Sequence, residues 1–221
     1  MNRANDEAIL KPMAGDMAGH IERVAARLFA SRGYDATSVR TIVEAAGVTK
    51  PTLYYHFGSK EALAQALLTD PMNAFVATLR GCLGATVDPV ANLSAQVEAH
   101  FRFMRENPDR GRFFYALFFG PLGSSLSSEL AGFGRRISEV MRDGVARVVE
   151  AGIVDADRAD AFGTAIHGTV VVHTMDFLYD RPPCVERSPV DFGPFLARTI
   201  VSDLIRGFGA FPTSTSTQQS S

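Results

Sequence analysis

The chain has 221 residues, 46% of them hydrophobic, with 22 lysines and arginines against 24 acidic residues and a formal charge of −2. That length and apolar content suit one large globular domain or two small ones, and the near-neutral balance excludes a protein that coats nucleic acid through bulk charge. Cys82 and Cys184 fit neither a metal-ligand spacing nor a disulfide framework, and neither a signal peptide nor a membrane-length apolar run is expected, so a reducing cytoplasm is the expected location.

Residues 1–15, with Pro12, Gly15 and scattered charge, are expected to form a flexible arm. A first helix follows, with Ile21, Val24, Ala25, Leu28 and Phe29 as its apolar stripe, and ends at Arg32-Gly33. Thr37 or Ser38 then caps a short second helix. Its Val39, Ile42, Val43 and Ala46 recur at the spacing of one helix face, while Arg40, Thr41 and Glu44 project elsewhere. Gly47 ends it. A third helix starts almost at once, with Thr49 as its cap, Pro51 in its first turn and Val48 able to close on Leu53. With Leu53 and Phe57 turned inward, Lys50, Thr52, Tyr54, Tyr55 and His56 face outward. Two short helices joined by a glycine turn make a helix-turn-helix, whose second helix lies in the DNA major groove.

From about Ala18 to Leu68 the chain resembles the TetR family of transcriptional regulators. The run Gly47-Val-Thr-Lys-Pro-Thr-Leu-Tyr-Tyr-His-Phe-Gly-Ser-Lys-Glu-Ala-Leu63 is similar to that family's signature nearly residue for residue. Because the N-terminal residues of a recognition helix enter the groove first, Lys50 and Thr52 are candidates for base edges. Thr52, Tyr54 and Pro51 are candidates for thymine methyls or phosphates, and Arg40 for a guanine or the backbone. The resemblance implies that Tyr55, His56 and Lys60 hold phosphates. Thr37, Ser38 and Thr49, at the starts of the two helices, complete the candidate interface. Either tyrosine could instead pack as a core aromatic, and His56 could cap or pack against Phe57. Between Asp16 and Lys60 six basic residues face four acidic ones, a modest local excess suited to specific binding.

Ser59 caps a fourth helix with Leu63, Ala66 and Leu67 on its inner face, and Asp70-Pro71 is expected to kink or break it. The family's corresponding helix connects its two domains, which places a boundary there. The DNA-binding domain is thus expected over 16–70, a helical effector-binding and dimerisation domain over 71–211, and a disordered tail over 212–221.

Beyond Pro71 lie 14 of the 16 phenylalanines. A helix from about Pro89 to Glu106 carries Val90, Leu93, Val97, Phe101 and Met104 on one side and stops at Asn107-Pro108. The following segment, 112–119, is aromatic nearly all round and must be buried or line a cavity. After a loop that starts at Gly120, a helix spans about Ser127 to Ala151, with Leu130, Phe133, Ile137, Val140, Met141 and Val148 inward. Two more helices, about Asp157–Tyr179 and Pro189–Phe208, flank a proline-rich loop that starts at Asp180. They resemble the family's intersubunit four-helix bundle, with Phe162, Ile166, Val170, Phe177, Phe195, Leu196 and Ile200 as candidate packing residues. Some of these belong to the subunit's own core, and sequence does not separate the two roles.

The expected architecture is all-α: an N-terminal three-helix helix-turn-helix domain plus a larger helical ligand-binding and dimerisation domain. One helix-turn-helix reads few base pairs, so a homodimer on a palindromic operator in double-stranded DNA is expected. The family implies a pocket for a small apolar effector, with Phe101, Met104, Phe113, Phe114, Phe118, Met141 and His167 as candidate lining and His100, Tyr115 or His173 as further polar anchors. The same aromatics read equally as plain core. A repressor released by such an effector is the leading reading. The alternatives are a DNA-binding dimer whose second domain only dimerises or docks a protein, and an all-helical enzyme. No metal or cofactor is expected, and no enzyme: His167 and His173 do not share a helix face, and no catalytic motif appears.

Overall fold

The computed structural model describes residues 17–119, 126–179 and 192–209, the side chains of 127–130 excepted. The expectations for the N-terminal arm, the loops after Gly120 and Asp180, the tail, Cys184, Leu130 and a last-helix start at Pro189 lie outside the described residues. Among the described residues nine α-helices and one short 3-10 turn follow one another and no strand forms. They are α1 (Met17–Arg32), α2 (Val39–Ala46), α3 (Lys50–Phe57), α4 (Lys60–Cys82), α5 (Pro89–Glu106), α6 (Pro108–Phe118), α7 (Ser127–Glu150), the turn Ala156–Arg158, α8 (Ala159–Tyr179) and α9 (Pro194–Phe208). None is long and apolar enough to cross a membrane.

The described residues cluster into two compact units, those of 17–71 with 109–130, and those of 72–108 with 131–209. In the first, Ile21, Ala25 and Phe29 of α1, Ile42 and Val43 of α2, Leu53 of α3 and Leu63 and Leu67 of α4 are all buried. Helix α6 joins this unit although it lies far along the chain. The Phe113 and Phe29 rings are 5.0 Å apart, and Arg110 is paired with Glu22 at 3.0 Å. Phe113, Phe114 and Tyr115 are buried as expected for an aromatic segment, but Phe118 and Phe119 are 46% and 63% exposed, because the helix ends there.

In the second unit α5 buries Leu93, Val97, Phe101 and Met104, and two of its four buried polar side chains fasten it to its neighbours. Asn92 accepts from the Thr86 N–H at 2.9 Å and donates to the Leu83 and Thr86 carbonyls, which ties down the connection from α4. Gln96 donates to the carbonyls of Leu79 on α4 and Val140 on α7, at 3.2 and 3.1 Å. This joins three helices through one amide. Helix α7 approaches closely at Gly144, where an added Cβ would stand 2.0 Å from Gln96 Oε1. Along α8 the buried residues Phe162, Ile166, Val170, Thr174 and Leu178 recur every fourth position, and α9 buries Leu196, Ala197, Ile200 and Val201.

Asp70-Pro71 does not break the helix: α4 runs from Lys60 to Cys82 with Pro71 inside it. The proline removes a hydrogen bond and costs about 3 kcal/mol in an ordinary helix interior. Leu67, Leu68, Met72, Phe75, Val76 and Leu79, on both sides of it, are buried, and their packing offsets that loss. Helix α8 also starts two residues late, because the 3-10 turn takes up Asp157 and Arg158.

Candidate nucleic-acid interface

The local chemistry of residues 37–58 fixes how α2 and α3 are presented. Ser38, in extended conformation, caps α2 by accepting from the Thr41 N–H at 3.1 Å. At the other end Gly47 adopts φ 64°; its N–H reaches the Glu44 carbonyl while that of Val48 reaches Val43 at 3.0 Å. This paired closure needs a left-handed residue, which glycine supplies without strain. Two residues later Thr49 caps α3 by accepting from the Thr52 N–H at 3.3 Å, and Pro51 occupies the first turn. Leu53 is fully buried and Phe57 half-buried, so the opposite side of α3 faces solvent.

That outer side carries Lys50, Pro51, Tyr54, Tyr55 and His56, all exposed, with Thr52 half-exposed. Tyr55 is 86% exposed, and the His56 ring lies edge-on to it at 5.2 Å. Neither tyrosine is a core residue. On α2 the Arg40 guanidinium lies against Glu44 at 2.7 Å, both strongly exposed. A surface pair of this kind is worth little, and an anion can displace the carboxylate. Thr41, its neighbour, shares a hydroxyl contact with Ser38 at 2.9 Å.

Two candidates are corrected. Thr37 is fully buried, and its hydroxyl donates to the Gly33 carbonyl at 2.8 Å; it closes the α1–α2 connection and leaves the cap to Ser38. Lys60 is turned inward. Its ammonium donates to the carbonyls of Tyr34 and Thr37, each at 3.1 Å, and stands 4.1 Å over the Tyr34 ring. Burial, and then the Glu61 carboxylate, push the Tyr34 phenol up to about 12, so the ring under the ammonium stays neutral. One of the first amides of α4 is taken too, because Ala62 N–H donates to Ser59 Oγ at 3.0 Å. Lys60 thus locks the α1–α2 connection to α4.

The structure adds residues that local pattern does not signal. His20 on α1 lies 3.1 Å from the Ala46 carbonyl through Nε2 and braces the end of α2. Tyr34 supplies both a carbonyl and a ring face to Lys60. Neither contact leaves a trace in sequence spacing, since its partners are 26 residues apart.

The seven effector candidates divide between the units. Phe113 and Phe114 are core residues of the first, and Phe118, half-exposed, stacks on Phe114 at 5.8 Å. Phe101 and Met104 are buried in the second, Met141 is half-buried and His167 exposed. Of the candidate dimer residues, Phe162, Ile166, Val170, Leu196 and Ile200 are buried within the second unit itself, whereas Phe177 and Phe195 are exposed. No group of three or more histidine, cysteine or acidic side chains among the described residues could hold a metal ion.

A capped α2, a glycine turn and a capped α3 with one buried and one polar side define a helix-turn-helix protein. Residues 21–67 match the family model described as bacterial regulatory proteins, tetR family. FasR of Mycolicibacterium smegmatis, an HTH-type transcriptional activator, is 38% identical over 89 residues, covering 40% of this chain and 41% of that protein. KstR2 of Rhodococcus jostii, an HTH-type transcriptional repressor, is 29% identical over 150 residues, covering 65% and 72%. The crystal structure of PfmR, a TetR-family regulator from Thermus thermophilus, superposes with a TM-score of 0.68 at 27% identity, over 86% of this chain and 99% of that one. The chain spans about two fifths of the length of the first curated relatives it matches. Over residues 21–67 the chain is thus similar to the tetR family of bacterial regulatory proteins.

Proposed function

We propose that this protein is a transcriptional repressor that binds a palindromic operator in double-stranded DNA as a homodimer and is released by a small apolar effector held in its second unit. The observation that carries the reading is the exposed side of α3: donors and aromatic edges on a helix held rigidly by caps at its start, a buried Leu53 behind it and the Lys60 lock beyond it. Lys50 donates to guanine O6 or N7 at the leading end of the helix. Thr52, Tyr54 and Pro51 meet thymine methyls or phosphates, Tyr55 and His56 hold the backbone, and Arg40 exchanges Glu44 for a phosphate or a guanine. Ser38 and Thr49 act by fixing the helix ends that approach the duplex.

The dimer reading is supported by an apolar surface on the last two long helices. Val172, Phe177, Tyr179 and Phe195 are 53%, 38%, 41% and 69% exposed, on helices whose other sides are already buried. Two copies of α3 presented together read enough base pairs for useful discrimination. The effector acts through its differential affinity for the DNA-competent arrangement, and α4, which contributes to both units, is the element we assign to carry the change. The test is retardation of random-sequence duplexes by the purified protein at low ionic strength, repeated with Tyr54→Ala. Retardation by the natural chain and its loss in the variant are expected; no retardation by either overturns the reading.

A further inference from the structure

Of the five histidines, His100 is the one that is buried, at 7% exposure. It sits on α5 among aromatic rings, with Phe75 of α4 edge-on at 5.5 Å and Phe101 at 6.2 Å; Phe101 in turn meets His173 of α8 at 6.4 Å and Phe192 at 4.3 Å. Its Nε2 is fully enclosed and has no hydrogen-bond partner. Buried polar atoms without partners are rare in folded proteins and call for an explanation.

Gln96, one turn earlier, also has an unpartnered atom, Oε1, but that oxygen faces Gly144 and its amide nitrogen already bonds to two carbonyls. It is a staple between helices. His100 has no such role. Its ring stays uncharged, because burial, and then the neighbouring His167, hold its pKa down at about 4. The arginines of the same helix do not make up the charge: Arg102 is paired with Glu98 at 3.2 Å, and Arg105 donates to the Phe192 carbonyl.

We propose that the second unit takes an apolar ligand bearing one uncharged hydroxyl, and that this hydroxyl is seated on His100 Nε2 between aromatic rings. A hydroxyl suits either tautomer: it donates when the ring proton is on Nδ1 and accepts when it is on Nε2. A carboxylate would lose its hydration without gaining a cation, so the site discriminates against anions. The proposal rests on the effector reading above and narrows it from any apolar molecule to a hydroxylated one.

The probes are naphthalene, 2-naphthol and 2-naphthoate, matched in shape and different in polarity, titrated calorimetrically into the full chain and its His100→Phe variant. The expected result is 2-naphthol bound about tenfold more tightly than naphthalene and more tightly than 2-naphthoate, with the tenfold difference gone in His100→Phe and largely kept in His100→Gln. Nitrogen NMR of the natural protein gives the same answer without a variant: the His100 imidazole signals move with 2-naphthol and stay with naphthalene. Equal binding of 2-naphthol and naphthalene, a preference for 2-naphthoate, or binding of none of the three overturns the proposal. Retardation of duplex DNA, measured separately, tells that failure from a failure of the regulator reading.

Discussion

Replacing Lys60 with methionine keeps the aliphatic stem and removes the ammonium, which separates a DNA contact from a structural lock. The ammonium makes two hydrogen bonds to the Tyr34 and Thr37 carbonyls and lies 4.1 Å over the Tyr34 ring. Hydrogen bonds from a charged donor are worth about 1.5–3 kcal/mol when well enclosed, and a partly exposed cation–π contact about 0.5–1 kcal/mol. Lys60 is half-buried, so the lower ends apply, and a loss of about 3.5 kcal/mol is expected for the pair of bonds and the ring contact together. Urea denaturation followed by circular dichroism measures it. The salt dependence of DNA affinity, measured where the variant is still folded, should be unchanged, because no phosphate contact has been removed. A salt slope lower by about 0.9 with an unaltered urea midpoint would return Lys60 to the phosphate backbone and refute the lock.

Gly144→Ala should destabilise by about 2 kcal/mol in the same assay. The new Cβ would stand 2.0 Å from Gln96 Oε1 and expel an amide bound to two carbonyls, which outweighs the roughly 1 kcal/mol that alanine gains over glycine in a helix. Thr37→Val should cost about 1 kcal/mol through its lost bond to Gly33 and leave DNA affinity of the folded protein unchanged. His100 should make stability fall in acid. Its folded pKa of about 4 lies below the unfolded value of 6.5, so the unfolded chain binds the proton first and stability drops as pH falls from 6.5 towards 4. The gap is worth about 3 kcal/mol, and His100→Phe should flatten that part of the curve.

The helix-turn-helix was legible because its signals are local: a hydroxyl before each helix, a glycine between them, an apolar spacing that puts Leu53 inside. The helices of the second unit were legible for the same reason, with Pro89 opening α5 and Asn107-Pro108 closing it. What escaped is decided over distance. Thr37 and Lys60 read as surface groups until the α1–α2 connection folds back on α4. Phe113 read as core or as pocket lining, and the choice is made only when α6 packs on Phe29, 84 positions earlier by residue number. Pro71 read as a kink or a break because a local rule sees the missing hydrogen bond and not the stripe of buried side chains running past it. Likewise apolar spacing marks Phe162 and Phe195 alike, and only burial tells the core residue from the exposed one.

The account stands or falls on whether the exposed side of α3 reads a duplex. Repeated selection of bound molecules from random double-stranded DNA, sequenced for the natural chain and for Lys50→Ala, measures this directly. The predicted result is an enriched motif with two-fold symmetry, whose half-sites loosen at a guanine in the variant. No enrichment, or a motif that is identical for both proteins, would contradict it.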